Sequence, residues 1–412
     1  MNEYLYFQPE YVGKFKCDGA KCNARCCKNW DITVDKETYD KYPREITEHI
    51  RFDSDKKTYF ITMDKHLACP FLTKKNLCRI QLKHGENFLS STCATYPRYT
   101  RYFGKFFERS LTLTCPVAAK MILFKRKPMR FEFVRVPEKI HSGNGKIALS
   151  PVLTAEGFAE RMLEIQVAMI SILQERTLTI DGRLIVLGFF LDKLEELTDG
   201  KKVLTQSEAD AFADDLTRLV AAYESKKFLA EQVPRMLASV SFDAKKFIGL
   251  VLRIFETLYG GREPRLTAEG RHFTDALVDT LQIVPDENGG VTVSEIAANY
   301  ERLADEREKF LARYATVLEN YLVNELFMNC YPWRYTERIT YNYGVFVTAY
   351  KIFELILFAA TRKGFEGKDD VLKLVDWYAT QSDHSNEFNE KIFAHIEATE
   401  DVLALMESLF RV

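Results

Sequence analysis

The chain lacks most of the features from which a function is usually read. It has no glycine-rich P-loop ending in lysine, no Gly-x-Gly-x-x-Gly turn, no Gly-x-Ser-x-Gly elbow and no His-Glu-x-x-His helix. These absences remove the familiar phosphate cradle, dinucleotide fingerprint, hydrolase nucleophile and zinc-protease site. The fragment Gly143-Asn144-Gly145 has no third glycine and reads as a turn. Neither sign of charge dominates: 57 Lys and Arg stand against 59 Asp and Glu, a formal net charge of -2, so bulk electrostatics require neither nucleic acid nor membrane as a partner. No apolar stretch approaches the roughly 18 to 20 residues that span a bilayer. Met1 to Pro9 shows no basic segment followed by an apolar run, the mark of a secretory signal. A cytoplasmic protein is the expectation.

What is present is concentrated. Eight of the nine cysteines, Cys17, Cys22, Cys26, Cys27, Cys69, Cys78, Cys93 and Cys115, precede residue 116, and Cys330 stands alone in the rest. A chain of 412 residues buries a large core without covalent staples, and no secretory context is visible, so the thiols read as reduced and directed at metal rather than as disulfides. Thiolate is the ligand that zinc and iron–sulfur clusters both prefer. The two-residue gaps of zinc ribbons are missing, as is the cysteine triplet of radical S-adenosylmethionine enzymes, and an iron–sulfur cluster is the preferred reading with zinc as the alternative. Successive side chains diverge in both strand and helix, so Cys26 and Cys27 are not expected to share a centre unless the backbone there is irregular. Two sites of four thiolates, or one cluster with additional structural thiols, both satisfy the count. His66 and His84 lie among the cysteines as further ligand candidates, with ordinary surface or core roles as the simpler reading.

The pattern predicts an α+β protein, predominantly α-helical: a small cysteine-rich metal-binding α+β module over 1–120, a connecting strand and loop over 121–149, and a multi-helix domain over 150–412. Within the module, Ile32 to Val34 and Thr58 to Thr62 read as short strands, Glu86 to Ala94 as a short helix carrying Cys93, and Tyr99 to Leu113 as a hairpin about Gly104 that delivers Cys115. Phe131 to Val136 reads as the connecting strand. Beyond it, Ser150-Pro151, Thr205 with Glu208, and Thr292 with Glu295 have helix-start chemistry. Leu303, Phe310, Tyr314, Val317, Leu318, Tyr321 and Leu322 mark one face of a long helix, and Phe346 to Ala360, apolar nearly all round, is expected at the centre of a bundle.

Particular residues carry a resemblance. The run from Cys17 to Cys27, Cys69-Pro70-Phe71, Leu77-Cys78, Cys93-Ala94-Thr95-Tyr96-Pro97-Arg98 and Cys115-Pro116, followed by Glu319-Asn320-Tyr321-Leu322 and Cys330-Tyr331-Pro332-Trp333, resemble the bacterial flagellin lysine N-methylases. The cysteine pattern alone, shared with a wider set of zinc- or iron-chelating modules, specifies only a metal site. The resemblance implies methyl transfer from S-adenosylmethionine to lysine side chains of flagellin, by an enzyme carrying a [4Fe-4S] cluster held by ligands from among the eight N-terminal cysteines. Such chemistry needs a neutral amine in line with the sulfonium methyl, and aromatic faces around the cation. Trp30, Tyr99 and Tyr102 are therefore cofactor-binding candidates, and Tyr96 and Asp31 catalytic ones, with Asp18 a second carboxylate for orienting the amine. The plainer reading is that these rings form the module's own core. A non-enzymatic zinc- or iron-binding adaptor is the alternative function.

Overall fold

In the computed structural model the described residues are 3–22, 24–28, 30–102, 106–137, 158–198, 206–259, 268–287, 289–383, 386–399 and 401–411. Gly143-Asn144-Gly145, the Ser150-Pro151 start signal and Thr205 lie outside them. The chain divides into two units, one of Met1–Met121 with Arg130–Ala148 and the other of Ile122–Met129 with Leu149–Val412.

A strand that was not anticipated organises the first unit. β1 (Glu3–Pro9) is a run of tyrosine, leucine and phenylalanine suited to a half-buried pleat, with Tyr6 and Phe7 in the core. After α1 (Glu10–Lys14) come β2 (Thr33–Val34), α2 (Lys36–Lys41), α3 (Arg44–Thr47), β3 (Ile50–Asp53), β4 (Thr58–Ile61), α4 (Arg79–His84), α5 (Ser91–Thr95), β5 (Arg98–Tyr102), β6 (Phe107–Leu111), α6 (Pro116–Leu123) and β7 (Phe131–Pro137). One sheet has the order β5-β6-β1-β7. β5 and β6 are the antiparallel hairpin expected, running from Arg98↔Leu111 to Tyr102↔Phe107. The strand expected as a connector is instead part of this sheet: β7 pairs with β1 along its whole length, from Glu3↔Pro137 to Pro9↔Phe131. As the edge strand of this sheet, β7 pairs the side of its backbone that faces β1.

A second, antiparallel sheet of order β2-β4-β3 carries a small core of Ile32, Val34, Ile46, Ile61, Phe71 and Ile80. The helix expected over Glu86 to Ala94 is broken. A 3-10 turn covers Glu86–Phe88, and α5 begins afresh where Ser90 Oγ accepts from the Cys93 N–H (3.4 Å) and Asp35 Oδ2 accepts from the Ser91 N–H (2.9 Å).

The second unit is helical: α7 (Phe158–Leu173), α8 (Ile180–Thr198), α9 (Gln206–Glu224), α10 (Lys226–Ser239), α11 (Ala244–Tyr259), α12 (Ala268–Leu281), α13 (Val293–Arg302), α14 (Ala304–Met328), α15 (Ile339–Arg362), α16 (Lys368–Asp383), α17 (Asn386–Glu397) and α18 (Val402–Glu407). The expected amphipathic helix is α14 and the expected central one is α15. By length and mean hydropathy α15 does meet the requirement for a membrane span, contrary to the sequence expectation, but 89% of that apolar window is buried inside the protein. Its charged members explain why continuous apolar runs were not visible. Lys351 and Glu354 lie within it, paired with Asp181 of α8 and Arg307 of α14: Lys351 Nζ is 2.7 Å from Asp181 Oδ1 and 3.1 Å from Glu354 Oε2, and Arg307 Nη2 is 2.8 Å from Glu354 Oε1 and 3.2 Å from Asp181 Oδ2.

Candidate metal and methyl-transfer site

The eight N-terminal cysteines all belong to the first unit, and unusual turns gather them. Gly19 adopts a left-handed φ of 59°, which only glycine takes without strain. Its N–H donates to Cys17 Sγ (3.4 Å), and the Cys22 thiol donates to its carbonyl (3.1 Å). Ala24 is also left-handed, at φ 52°, and leads directly into the 3-10 turn Arg25–Cys27. This irregular backbone overturns the expected divergence of the adjacent pair: Cys26 Sγ and Cys27 Sγ are 3.8 Å apart. Two sulfurs 2.3 Å from one tetrahedral ion would also stand about 3.8 Å apart.

Longer-range pairings bring in the others. The Cys69 N–H donates to the Cys27 carbonyl (2.8 Å), and bridges join Lys28 to Ala68 and Leu72 to Cys78. Cys78 precedes α4, Cys93 rides on α5, and Cys115 stands at the start of α6, where its sulfur accepts from the backbone of Ala118 and Val117. Among the described residues no three His, Cys, Asp or Glu side chains converge closely enough to close on one ion. The thiols are neighbours rather than a completed shell.

Their protonation reflects the crowding. The thiol of Cys26 is pushed far up by its hydrogen bond with Cys27 and by burial. For Cys27 the bond with Cys26 pulls down, but the bond with Cys69, burial and the charges of Cys69 and Cys93 outweigh it. Burial pushes Cys93 up to about 11, against a bond from Ser90 and with help from Cys78 and Cys26. Burial likewise takes Cys115 to about 12, against its backbone donors and with Cys22 and Cys26 adding to the rise. Cys22 is raised by burial, with the charges of Cys26 and Cys17 contributing. A bound cation would relieve this mutual repulsion and release the protons.

Of the aromatic candidates, the structure brings two together. Trp30 and Tyr96 lie with ring centroids 5.8 Å apart at 32°. Trp30 Nε1 donates to the Cys26 carbonyl (3.1 Å), and the Tyr96 hydroxyl is 3.1 Å from Thr114 Oγ1, next to Cys115. Tyr99 and Tyr102 do not join them as a cage. Both are exposed on β5, and an odd spacing on a strand sends them to opposite faces; Tyr102 packs on Phe107 at 4.9 Å. Asp31 follows Trp30 and is exposed, and Asp18 is exposed beside Cys17. His66 is exposed on a turn, while His84 stacks on Phe88 at 4.5 Å, so neither is drawn into the thiol group.

In the helical unit, the motif residues have structural partners. Glu319, on α14, is buried and accepts from Arg176 Nη2 (2.7 Å) and Arg183 Nη1 (2.8 Å). Asn320 donates to the carbonyls of Leu123 (3.1 Å) and Lys125 (2.8 Å), and Tyr321 stacks on Phe353 at 4.0 Å. The buried acid and arginines come from segments about 140 residues apart in the chain, with no local signal to mark the partners.

This helical unit contains the stretch, residues 166–409, that matches the FliB lysine N-methylase C-terminal domain. The chain belongs to the FliB lysine N-methylase family. It is 24% identical to a lysine-N-methylase of Salmonella choleraesuis over 99% of its own length and 100% of the relative's, and equally to that of Salmonella typhimurium. A flagellar biosynthetic protein FliU of Salmonella muenchen is 32% identical over 30% of the chain and 79% of the relative. No solved structure matches it significantly. As a family member the chain is a protein-lysine methyltransferase, and the adaptor alternative is set aside.

Proposed function

We propose that this protein transfers a methyl group from S-adenosylmethionine to lysine side chains of flagellin, and that thiols of its cysteine-rich unit hold a [4Fe-4S] cluster. Family membership carries the reaction, and the flagellar name of one relative favours the substrate. The soft, all-sulfur donor set suits a cluster, with zinc as the alternative. When bound, a cluster would tie the surrounding turns together through its thiolate ligands.

In the transfer, the lysine nitrogen attacks the methyl carbon in line with the breaking C–S bond. The bonding pair stays on sulfur, giving S-adenosylhomocysteine, and the ammonium formed gives up a proton. The amine must arrive neutral, and exposed Asp31 can take its proton or orient it. The neighbouring Trp30 and Tyr96 rings, tilted 32° to each other, provide π-faces that attract the sulfonium.

The test is to purify the protein without oxygen, add S-adenosylmethionine and flagellin, and follow methyl mass on lysine by peptide mass spectrometry. Transfer is expected; none from protein with an intact cluster would overturn the reading. A Trp30→Leu variant should raise the KM for S-adenosylmethionine roughly 5- to 30-fold, the equivalent of about 1–2 kcal/mol of lost cation–π attraction. The competing location is an open cavity of about 510 Å³ in the helical unit, lined by Phe242, Asp243, Lys246 and Glu407 among others. Photo-crosslinking of the cofactor there, with KM unchanged in Trp30→Leu, would remove the role given to the rings.

A further inference from the structure

We propose that Arg101 and Glu108, which face each other across the β5–β6 hairpin, bind the amino-acid end of S-adenosylmethionine: the Arg101 guanidinium takes its carboxylate and the Glu108 carboxylate its ammonium group. The proposal rests on the reading of S-adenosylmethionine as methyl donor and not on the roles given to Trp30, Tyr96 or the thiols.

Among the described residues four arginines are buried: Arg101, Arg109, Arg183 and Arg307. Three of them have acceptors. Arg109 donates to Thr100 Oγ1 (3.3 Å) and lies 3.9 Å over the Tyr6 ring, Arg183 is 2.8 Å from Glu319 Oε2, and Arg307 is 2.8 Å from Glu354 Oε1. Arg101 is the exception. Its side chain is buried, and neither Nε nor Nη1 has a hydrogen-bond partner. A guanidinium keeps its charge and holds its N–H donors in a rigid fork, and burying one without an acceptor is costly unless an anion completes the site. The flat, two-oxygen shape that matches this fork is a carboxylate.

The strand register narrows the ligand further. Arg101 stands directly opposite Glu108, so both side chains leave the same face of the sheet with Cβ atoms about 4.5–5.5 Å apart. Glu108 is buried and has bonding of its own within the protein, but it does not occupy Arg101 Nε or Nη1. A carboxylate offers several lone pairs, so it can accept a further donor. A simple anion such as phosphate would be repelled by Glu108. A ligand that carries a carboxylate and an ammonium group on one carbon satisfies both charges together. S-adenosylmethionine has such an end, and so does the product S-adenosylhomocysteine.

The surroundings suit buried charge contacts. Phe7 shares this face as the β1 partner of Glu108, and it packs on Phe133 at 5.0 Å and on Phe106 at 6.5 Å. An apolar wall of this kind strengthens each charge-assisted bond made beside it. Tyr99, on the same edge strand, lies over the guanidinium at 5.2 Å and is itself exposed. A swing of that one surface ring is the movement the site needs.

The experiment is calorimetric binding to the full-length protein of S-adenosylhomocysteine, which keeps the amino-acid end, and of methylthioadenosine, which lacks it. Neither carries a sulfonium, so cation–π contacts elsewhere do not enter. Wild-type protein should prefer S-adenosylhomocysteine by at least about 10-fold. Arg101→Gln should weaken that ligand about 10- to 100-fold, the worth of a bidentate charge-assisted pair, and leave methylthioadenosine within about twofold. Glu108→Gln should weaken it about 3- to 10-fold with the same selectivity. Because an uncompensated charge is removed, the ligand-free melting temperature of Arg101→Gln should be unchanged or higher. Equal affinity of the wild type for the two ligands would overturn the proposal without any variant. So would an Arg101→Gln protein that binds S-adenosylhomocysteine as the wild type does, or one that loses both ligands equally and melts lower, the mark of a structural arginine. A raised KM for flagellin with S-adenosylhomocysteine binding unchanged would assign the carboxylate to the protein substrate and overturn it as well. Wild-type protein that binds neither S-adenosylmethionine nor S-adenosylhomocysteine would sink the donor reading and this proposal with it, whereas donor binding indifferent to Arg101 would sink this proposal alone.

Discussion

Replacing Lys351 with methionine should destabilise the helical unit by about 3–5 kcal/mol, the usual cost of breaking a buried ion pair. The side chain is 2% exposed and bridges Asp181 and Glu354 at 2.7 and 3.1 Å, with Arg307 completing a set of two acids and two bases that is neutral as a whole. Methionine fills the space of the lysine stem, so little of the loss is a cavity. What remains is one uncompensated negative charge in the core. At these separations a single pair is worth about 4 kcal/mol at an effective dielectric of about 20. In a thermal melt the loss corresponds to roughly 6–20 °C. Sign matters as well as size. Burial works to raise the Asp181 carboxyl, but the charges of Lys351 and Arg307 outweigh it and hold the group below its usual range. In the wild type its contribution is therefore complete above about pH 4 and is lost as pH falls through the lowered folded value. Without Lys351 the folded value should rise above the unfolded one, so the deficit against wild type should be largest near pH 7 and shrink toward pH 4. Guanidinium denaturation of both proteins across that range measures it. The double variant Lys351→Met/Asp181→Asn, again neutral as a set, should recover at least about 1 kcal/mol relative to additivity. A loss below about 1 kcal/mol, or a deficit independent of pH, would refute the account of this cluster as a mutually compensating set.

Glu319→Gln leaves the buried Arg183 guanidinium without its carboxylate and should also cost about 3–5 kcal/mol, read by denaturant midpoint; a change within about 0.5 kcal/mol would contradict the burial of that charge. Asp35→Ala removes the acceptor for both Thr38 and Ser91 and should cost about 1–2 kcal/mol, with Asp35→Asn much closer to wild type. Burial opposes the Asp35 charge, but those donors hold the carboxyl at about 2; its contribution is present above about pH 4 and declines toward pH 2, so the alanine variant should show a flatter acid limb in an unfolding profile. Gly188→Ala would set a Cβ 2.8 Å from the Tyr343 hydroxyl, which is itself held by the Leu184 carbonyl at 2.7 Å; a loss of about 1–3 kcal/mol is expected, and an unchanged melting temperature would show that the ring can move aside.

Local chemistry was readable wherever the signal lay within a dozen residues. The period of α14, the apolar wrap of α15 and the β5–β6 hairpin were visible because side-chain spacing reports directly on which face is buried. β1 was missed because Glu3–Pro9 has neither alternation nor a turn before it, and its status depends on β6 and β7, about 100 and 130 residues onward. The Glu86 to Ala94 helix was misread as continuous: Ser90 starts α5 afresh as its own N-cap, a local signal that was passed over, and distant Asp35 adds an acceptor for the Ser91 N–H. The aromatic candidates divided for the same reason: proximity to cysteines in the chain grouped four rings, and strand geometry separated Tyr99 and Tyr102 from the Trp30–Tyr96 pair.

By itself the sequence determined the chemistry available: eight soft thiol ligands in one third of the chain, helical bulk in the rest, and a family resemblance in particular residues. Only the tertiary structure decided which thiols are neighbours. Cys27 is bonded to Cys69, and Cys22 and Cys26 lie near enough to Cys115 to raise its thiol, across gaps of tens of residues. Ligand type is a property of a side chain, whereas the sharing of a centre depends on sheet pairing, left-handed turns and helix starts that act between distant segments. The same holds for Lys351, an isolated lysine in an apolar helix until Asp181 and Arg307 are folded against it.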